Sequence, residues 1–244
     1  MHIDPDSLTI SLAGLGSRGL SSDDDVPAGL LRVVKAAAEI FQVTGVGLML
    51  VAPDQELRYV AASDERARAL ELGQEAAGDG PCVAAFVNEE IVRCADLAID
   101  PRWPVLGPQL AEKGIRAVLG VPTRLGGIAV GSLNSYVDES HEWDDGDVQA
   151  IAAYNRVIEG QLASALAAHR QNELVEQLEH ALANRVQIER AIGVLIAREG
   201  LDAVAAFNRL RRAARSERRR VADVAAEVIA GRDLASDAPV PHVV

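Results

Sequence analysis

Apolar residues recur along this chain in two rhythms. From Pro27 to Gln42 they return every three or four positions, so Leu30, Val33, Val34, Ala37 and Phe41 share one side of a predicted helix. Pro27 suits its first turn, and Asp25 or Ser22 stands where an N-cap belongs. Residues 44–52 (TGVGLMLVA) and 57–63 (LRYVAAS) are short, rich in valine and leucine, and parted by PDQE, which predicts a β-hairpin. Residues 64–77 read as helical or irregular. Gly78, Gly80 and Pro81 then break the chain before a short helix over 82–89 and a short strand over 91–97. PRWP (101–104) opens an irregular-to-helical stretch through Lys113. Residues 115–123 and 127–137 predict a second hairpin around Leu125-Gly126-Gly127, and Asp144 or Asp145 caps a long helix. This order predicts an α+β domain with a mostly antiparallel sheet flanked by helices.

The helical rhythm then runs on. Leu174, Leu178, Ala181, Arg185, Ile188, Ile192 and Leu195 alternate by four and three, the spacing of a coiled-coil seam interrupted at Arg185. A homodimer through this seam is expected. The same spacing also fits one amphipathic helix packed within its own domain. Gly200 ends the helix as a C′ glycine, with Leu201 as its apolar contact, and Asp202 caps the next. There Ala203, Phe207, Leu210 and Ala214 form an inward stripe. Asn208, Arg211, Arg212 and Arg215 are spaced for a shared, opposite face. Val221, Val224, Ala225 and Val228 give a third helix its apolar side, and Gly231 ends it. The tail is thus a small all-α three-helix domain joined to the first by a long helix. Gly193, inside a helix, costs about 1 kcal/mol relative to alanine and suggests close approach by a neighbour or ligand.

Composition sharpens this division. The 244 residues suit about two domains. The hydrophobic content of 49% is ample for a core, which aliphatic residues must fill because aromatics are only 3%. No apolar run reaches the roughly 18–20 residues of a membrane span, and MHIDPDSLTI lacks the basic start of a secretory signal. A cytoplasmic protein that does not engage membranes is expected. The net charge of −12 is uneven: residues 1–169 hold 12 basic and 25 acidic residues, a net of −13, whereas residues 170–244 hold 12 and 11, a net of +1. All 12 basic residues of the tail are arginine, and seven lie between Arg209 and Arg220. The planar guanidinium suits phosphates and stacking on bases. Cys82 and Cys94 are not spaced as a zinc site or CxxC motif and read as reduced, buried thiols. No phosphate-binding loop, nucleophile elbow or HExxH motif is present, so an enzyme is not expected, nor is a metal or other cofactor. His141 and His169 are lone histidines in polar surroundings and do not read as haem ligands.

The order of elements, with GVGLMLV early, GIAVGSLNSY late and HEWDDGDVQAIAAYN opening the last helix, resembles a GAF domain over about residues 25–168. That resemblance implies a small-molecule ligand, its identity unnamed, between the sheet and the segment 64–113. The tail closely resembles an ANTAR domain over residues 178–232. The match runs through Ala181-Leu182, Arg185, Ile188, Ala191, Gly193 and Leu195, then Ala206-Phe207, Leu210-Arg211 and Ala214, then Val221 and Asp223-Val224-Ala225. It departs at Ile192, where a lysine is common, at Ile196, where a methionine is common, and in the more basic loop SERRR.

Together these imply a regulator of transcription antitermination that binds paired stem-loops in nascent RNA and meets RNA polymerase only indirectly. The expected RNA contacts are Arg185, Ala191, Gly193, Asn208, Arg211, Arg212, Arg215, Arg218 and Arg219. Splayed loop bases can stack on guanidinium planes while stems offer phosphates. Residues 1–24 and 233–244 are read as flexible tails and 169–177 as a helical linker. Two alternatives stand beside this reading. One is a GAF-fold enzyme that reduces free methionine sulfoxide, with Cys82 and Cys94 as redox candidates. The other is a DNA-binding helix-turn-helix.

Overall fold

The computed structural model describes residues 26–167 and 173–234. The caps assigned to Asp25 or Ser22, the N-terminal tail, His169, residues 168–172 and the tail beyond 234 lie outside the described residues. The chain divides into two compact units between Leu182 and Ala183.

The first unit is built around a five-stranded sheet of order β2-β1-β5-β4-β3, every neighbouring pair antiparallel. Its elements in chain order are α1 (Val26–Phe41), β1 (Gly45–Val51), β2 (Leu57–Ala62), α2 (Glu65–Ala77), α3 (Pro81–Asn88), β3 (Val92–Cys94), α4 (Leu106–Ala111), β4 (Ala117–Leu125), β5 (Ile128–Val137) and α5 (Asp145–Ala167). The two hairpins β1–β2 and β4–β5 form where the valine-rich runs predict them. Gly126 and Gly127 supply the positive φ values of 59° and 88° that a two-residue hairpin turn demands. Helices α1 and α5 cover one face, and α2 and α3 the other.

The predicted stripe of α1 is its buried side: Leu30, Val33, Val34, Ala37 and Phe41 are all fully covered. Phe41 meets Tyr154 of α5 edge-on, with ring centroids 4.8 Å apart. Asn155, also on α5, accepts from Thr123 Oγ1 at 2.7 Å and donates to Pro122 O at 2.9 Å, tying that helix to β4. Local chemistry fixes the helix starts. Asp64 Oδ1 accepts from the amides of Arg66 (2.7 Å) and Ala67 (2.8 Å) to cap α2. Asp144 and Asp147 exchange backbone-to-carboxylate bonds at the head of α5, a reciprocal cap.

One strand is shorter than the sequence predicts. The pattern predicts an extended chain over residues 91–97, yet β3 holds only Val92–Cys94. Asp96 ends it: its carboxylate accepts from Ala98 N at 3.0 Å and pairs with Arg116, which bends the chain away from the sheet edge.

The second unit contains the latter part of α6 (Glu173–Glu199), α7 (Ala203–Glu217) and α8 (Val221–Ile229). Gly200 takes the left-handed conformation (φ 69°) and bonds back to Ile196 O at 3.0 Å, closing α6. Asp202 caps α7 by accepting from Ala205 N at 2.7 Å. Phe207, Leu210 and Ala214 meet Val224, Ala225 and Val228 across the α7–α8 pair, all buried. Burying side chains of this size is worth about 1.5–3 kcal/mol each for the larger ones.

The four-and-three stripe on α6 is largely covered. Leu178, Ala181, Arg185, Ile188, Ile192 and Leu195 are already buried within one chain. Within the first unit, Gln55 Nε2 from the β1–β2 turn donates to Ala181 O at 3.1 Å. The spacing of a coiled coil and that of a helix packed on its own domain are nearly the same. Among the described residues no helix is long and apolar enough to cross a membrane.

Candidate functional site

The predicted arginine face separates into two groups. Arg212 and Arg215 of α7 are exposed, and so is Arg218 just beyond it. Arg218 adopts a left-handed conformation (φ 53°) as the C-cap, its amide bonding to Arg215 O at 3.1 Å, so the basic loop starts with a sharp reversal. Arg211, expected on the same outward face, is instead only 6% exposed. Its guanidinium lies 5.5 Å from the Phe207 ring centroid, and Nη1 donates to Asn208 Oδ1 at 3.2 Å. The reason is helical spacing: Arg211 follows Phe207 by four residues and therefore shares its side of the helix. Asn208 is half-buried beside it.

Two further candidates, Arg185 and Ala191, are buried in α6. Arg185 is 2% exposed, because it occupies the inward stripe between Ala181 and Ile188, and its Nε donates to Glu189 at 2.8 Å. Ala191, three residues from Ile188 and four from Leu195, is fully buried and offers no surface to a base. Gly193 does face outward, and a Cβ built on it would meet nothing within 4 Å. The close neighbour its sequence position suggests is therefore not supplied by the chain's own described residues. Arg190, which sequence reasoning passed over, lies three residues earlier on the same exposed side.

Arg219 is exposed but engaged. It bonds Glu227 at 2.6 Å and Glu217 at 3.2 Å, while Arg232 pairs with the same two carboxylates, so the four charges close a ring across the end of the unit. Hydrogen bonds from Arg219, then Arg232, hold the Glu227 carboxyl down at about 2. Arg220 pairs with Asp223 at 2.9 Å. Arg219 and Arg220 thus pair within their own domain, and Arg212, Arg215 and Arg218 are exposed.

The first unit contains a site that sequence reasoning missed. Glu71 and Gln74 of α2, Cys82 of α3, and Ser132 and Asn134 of β5 form a polar cluster with no exposure at all. Asn134 Nδ2 donates to Glu71 Oε1 at 3.0 Å and to Ser132 O at 3.2 Å. The Gln74 amide accepts from Cys82 N at 2.8 Å and donates to the Cys82 sulfur. Burial pushes the Glu71 carboxyl up to about 8, against the smaller opposing effect of the Asn134 bond. A signal for it lies in β5, which reads polar at Ser132, Asn134 and Tyr136, alternate positions of one face, where a core strand should be apolar.

The two cysteines are both buried and reduced. Burial, reinforced by the neighbouring Glu71, raises the Cys82 thiol well above its ordinary range, and burial with Asp100 raises Cys94 to about 12. A redox nucleophile needs the opposite shift. His141, with Asp147 2.9 Å away, belongs to the cap of α5.

Comparison with known proteins fits this arrangement. A profile for the GAF domain matches residues 26–162, and one for the ANTAR domain matches residues 176–229. No curated protein matches the chain. Among solved structures, the GAF domain of a phosphoenolpyruvate-protein phosphotransferase from Coxiella burnetii aligns with a TM-score of 0.54 at 18% identity, covering 67% of this chain and 97% of that one. The corresponding Acinetobacter domain aligns at 0.52 and 14% identity, covering 68% and 96%. The free methionine-R-sulfoxide reductase of Neisseria meningitidis aligns at 0.52 and 17%, covering 69% and 98%. At these identities the likeness establishes the fold alone. With more than half of its length matched by one family profile, the chain belongs to the GAF-domain family and carries an ANTAR domain after the GAF domain.

Proposed function

We propose that this chain is a signal-responsive antitermination regulator whose C-terminal domain binds paired stem-loops in nascent RNA. In this reading residues 25–168 sense a small molecule, 169–177 connect, and 178–232 bind RNA. The observation that carries it is the polarity of α7 and its C-cap. Phe207, Leu210 and Ala214 face the core, while Arg212, Arg215 and Arg218 stand outward, in a domain whose family resemblance implies RNA. Exposed guanidinium groups on a rigid helix can reach the phosphates of a stem and stack on loop bases. The acidic GAF domain would repel the same polyanion, which confines binding to the tail.

The protein acts in the cytoplasm as a homodimer, so that two ANTAR domains meet two stem-loops. Arg212 and Arg215 replace Arg185 and Arg211 as the principal contacts, with Gly193 leaving an unobstructed path on α6.

The test is binding of tandem-hairpin RNA by the full chain across a series of potassium chloride concentrations, with duplex DNA in parallel. The double substitution Arg212→Ala, Arg215→Ala is expected to weaken RNA binding and to lower the slope of log affinity against log salt by roughly one unit per arginine. Its circular dichroism should match the parent. Equal affinity of parent and variant, or preference for duplex DNA, would overturn the assignment.

A further inference from the structure

The turn between β1 and β2 is covered where a hairpin turn is ordinarily wet. Pro53 and Asp54 are exposed, yet the polar residues that follow, Gln55 and Glu56, are only 1% and 4% exposed. Gln55 also holds a left-handed backbone (φ 64°), a conformation that strains a residue with a long side chain. The Oε1 atom of its amide has no hydrogen-bond partner. A residue that is strained, buried and half-satisfied is held in place by its remaining bond. That bond runs to α6: Gln55 Nε2 donates to Ala181 O at 3.1 Å.

Ala181 lies in the first unit, which runs through Leu182. So do Val175 and Leu178, which are also buried. Yet the ANTAR profile begins at residue 176. Residues 176–182 therefore belong to the ANTAR domain by family and to the GAF unit by packing. α6 itself runs unbroken from Glu173 to Glu199, so what happens at Ala181 is felt along the whole helix.

The turn is stiff, and it is tied to α2. Ala52 N donates to Glu56 O and Gln55 N to Ala52 O, both at 2.8 Å, while Asp54 Oδ1 accepts from Glu56 N at 3.1 Å. Arg58 of β2 pairs with Asp54 at 2.7 Å and with Glu56 at 2.9 Å, both in the turn, and with Glu75 of α2 at 2.9 Å. Glu75 also accepts from Tyr59 N at 3.1 Å, so one carboxylate joins α2 to the edge strand β2. A displacement of α2 thus reaches Gln55 through a single guanidinium and a turn braced by its own hydrogen bonds.

We propose that the β1–β2 turn is an inhibitory clasp: Gln55 holds the first turns of α6 in the GAF unit, withholds residues 176–182 from the ANTAR domain, and restrains RNA binding until a shift of α2 reaches the turn through Arg58. This rests on reading the GAF domain as the sensor and the ANTAR domain as the RNA-binding part. The hold is one hydrogen bond of modest net strength, opposed by the backbone strain at Gln55. Closed and open states therefore differ little in free energy, and a ligand with a small preference between them can shift the balance. Arg58 is a positioning residue in this scheme, since it acts on α6 only through the turn.

The test is hydrogen–deuterium exchange of the full chain, read over residues 175–182, without RNA. Gln55→Asn keeps a residue that tolerates the left-handed conformation, but its amide is one methylene too short to reach Ala181 O. Exchange over 175–182 should quicken about fivefold, as loss of one buried hydrogen bond implies, while β4 and β5 exchange at the parent rate. Arg58→Gln, which leaves Gln55 intact and cuts the link to Glu75, should quicken the same stretch by a smaller factor. In a second measurement, the affinity of Gln55→Asn for tandem-hairpin RNA should rise about fivefold over the parent. A turn with a purely structural role would gain from asparagine at a left-handed position and leave 175–182 unchanged; that result overturns the clasp. Faster exchange with unchanged or weaker hairpin affinity overturns its inhibitory role. Absence of hairpin binding by both parent and variant would overturn the antitermination reading, and the restraint with it, while the exchange rates still decide the clasp.

Discussion

The GAF and ANTAR domains handle carboxyl groups in opposite ways. Glu71 lies in the GAF core with an amide as its partner and no cation against it, so burial favours the neutral acid. Glu217 and Glu227 lie on the surface of the ANTAR domain, held between Arg219 and Arg232, and their ionised forms are favoured. The first arrangement keeps a carboxyl uncharged between α2 and the sheet. The second neutralises charge locally, and it orders the basic loop while Arg212, Arg215 and Arg218 face outward. A nucleic-acid interface benefits from cations whose backbone is fixed but whose side chains are presented to solvent.

The largest test of this contrast concerns the cores themselves. Phe207 is the only aromatic residue of the ANTAR unit, and it is 1% exposed. Phe207→Ala should cost about 3–5 kcal/mol, enough to unfold so small a unit. Scanning calorimetry of the full chain should show the ANTAR transition lost and the GAF transition unmoved. A uniform shift of both would mean that the two units do not unfold separately.

The next effect is on pH dependence. Glu71 is raised from 4.5 to about 8, so the folded state binds the extra proton between those values. Its contribution to stability is complete below about 4.5 and is lost as pH rises through about 8, with a slope on the order of 1 kcal/mol per pH unit. The melting temperature of the GAF transition should fall from pH 6 to 9, and in Glu71→Gln that fall should be much reduced. For Glu227, lowered to about 2, the sign reverses: its contribution is present above its ordinary range and is lost as pH falls through about 2. Matching pH profiles for the parent and Glu71→Gln would remove the contrast.

The smallest effect is at a helix start. Asp202 satisfies one amide of α7, and Asp202→Ala should cost about 1 kcal/mol in the ANTAR transition. Because the cap lies at the far end of α7 from Arg212 and Arg215, RNA affinity below the melting range should not change. A loss of RNA affinity without a loss of helicity would place the interface at the other end of the helix.

Much of this protein was legible in its sequence because the relevant physics is local. Side-chain period distinguishes the inward stripe of α1 from the hairpins. Short polar side chains announce the caps at Asp144 and Asp202, and paired glycines announce the turn at Gly126 and Gly127. Motif spacing carried both domain resemblances. What only the tertiary structure decided depends on which neighbour arrives from elsewhere in the chain. Arg185 and Arg211 read as surface cations by residue type but lie inside, since a long side chain can bury its stem and guanidinium where packing supplies partners. The four-and-three stripe of α6 could face a second chain or its own, and period alone does not separate the two. Glu71, Asn134 and the glycines beside them come from four separate elements of the chain. No local rule joins them, and the sheet register brings them together by setting Gly47, Asn134 and Gly120 in one row.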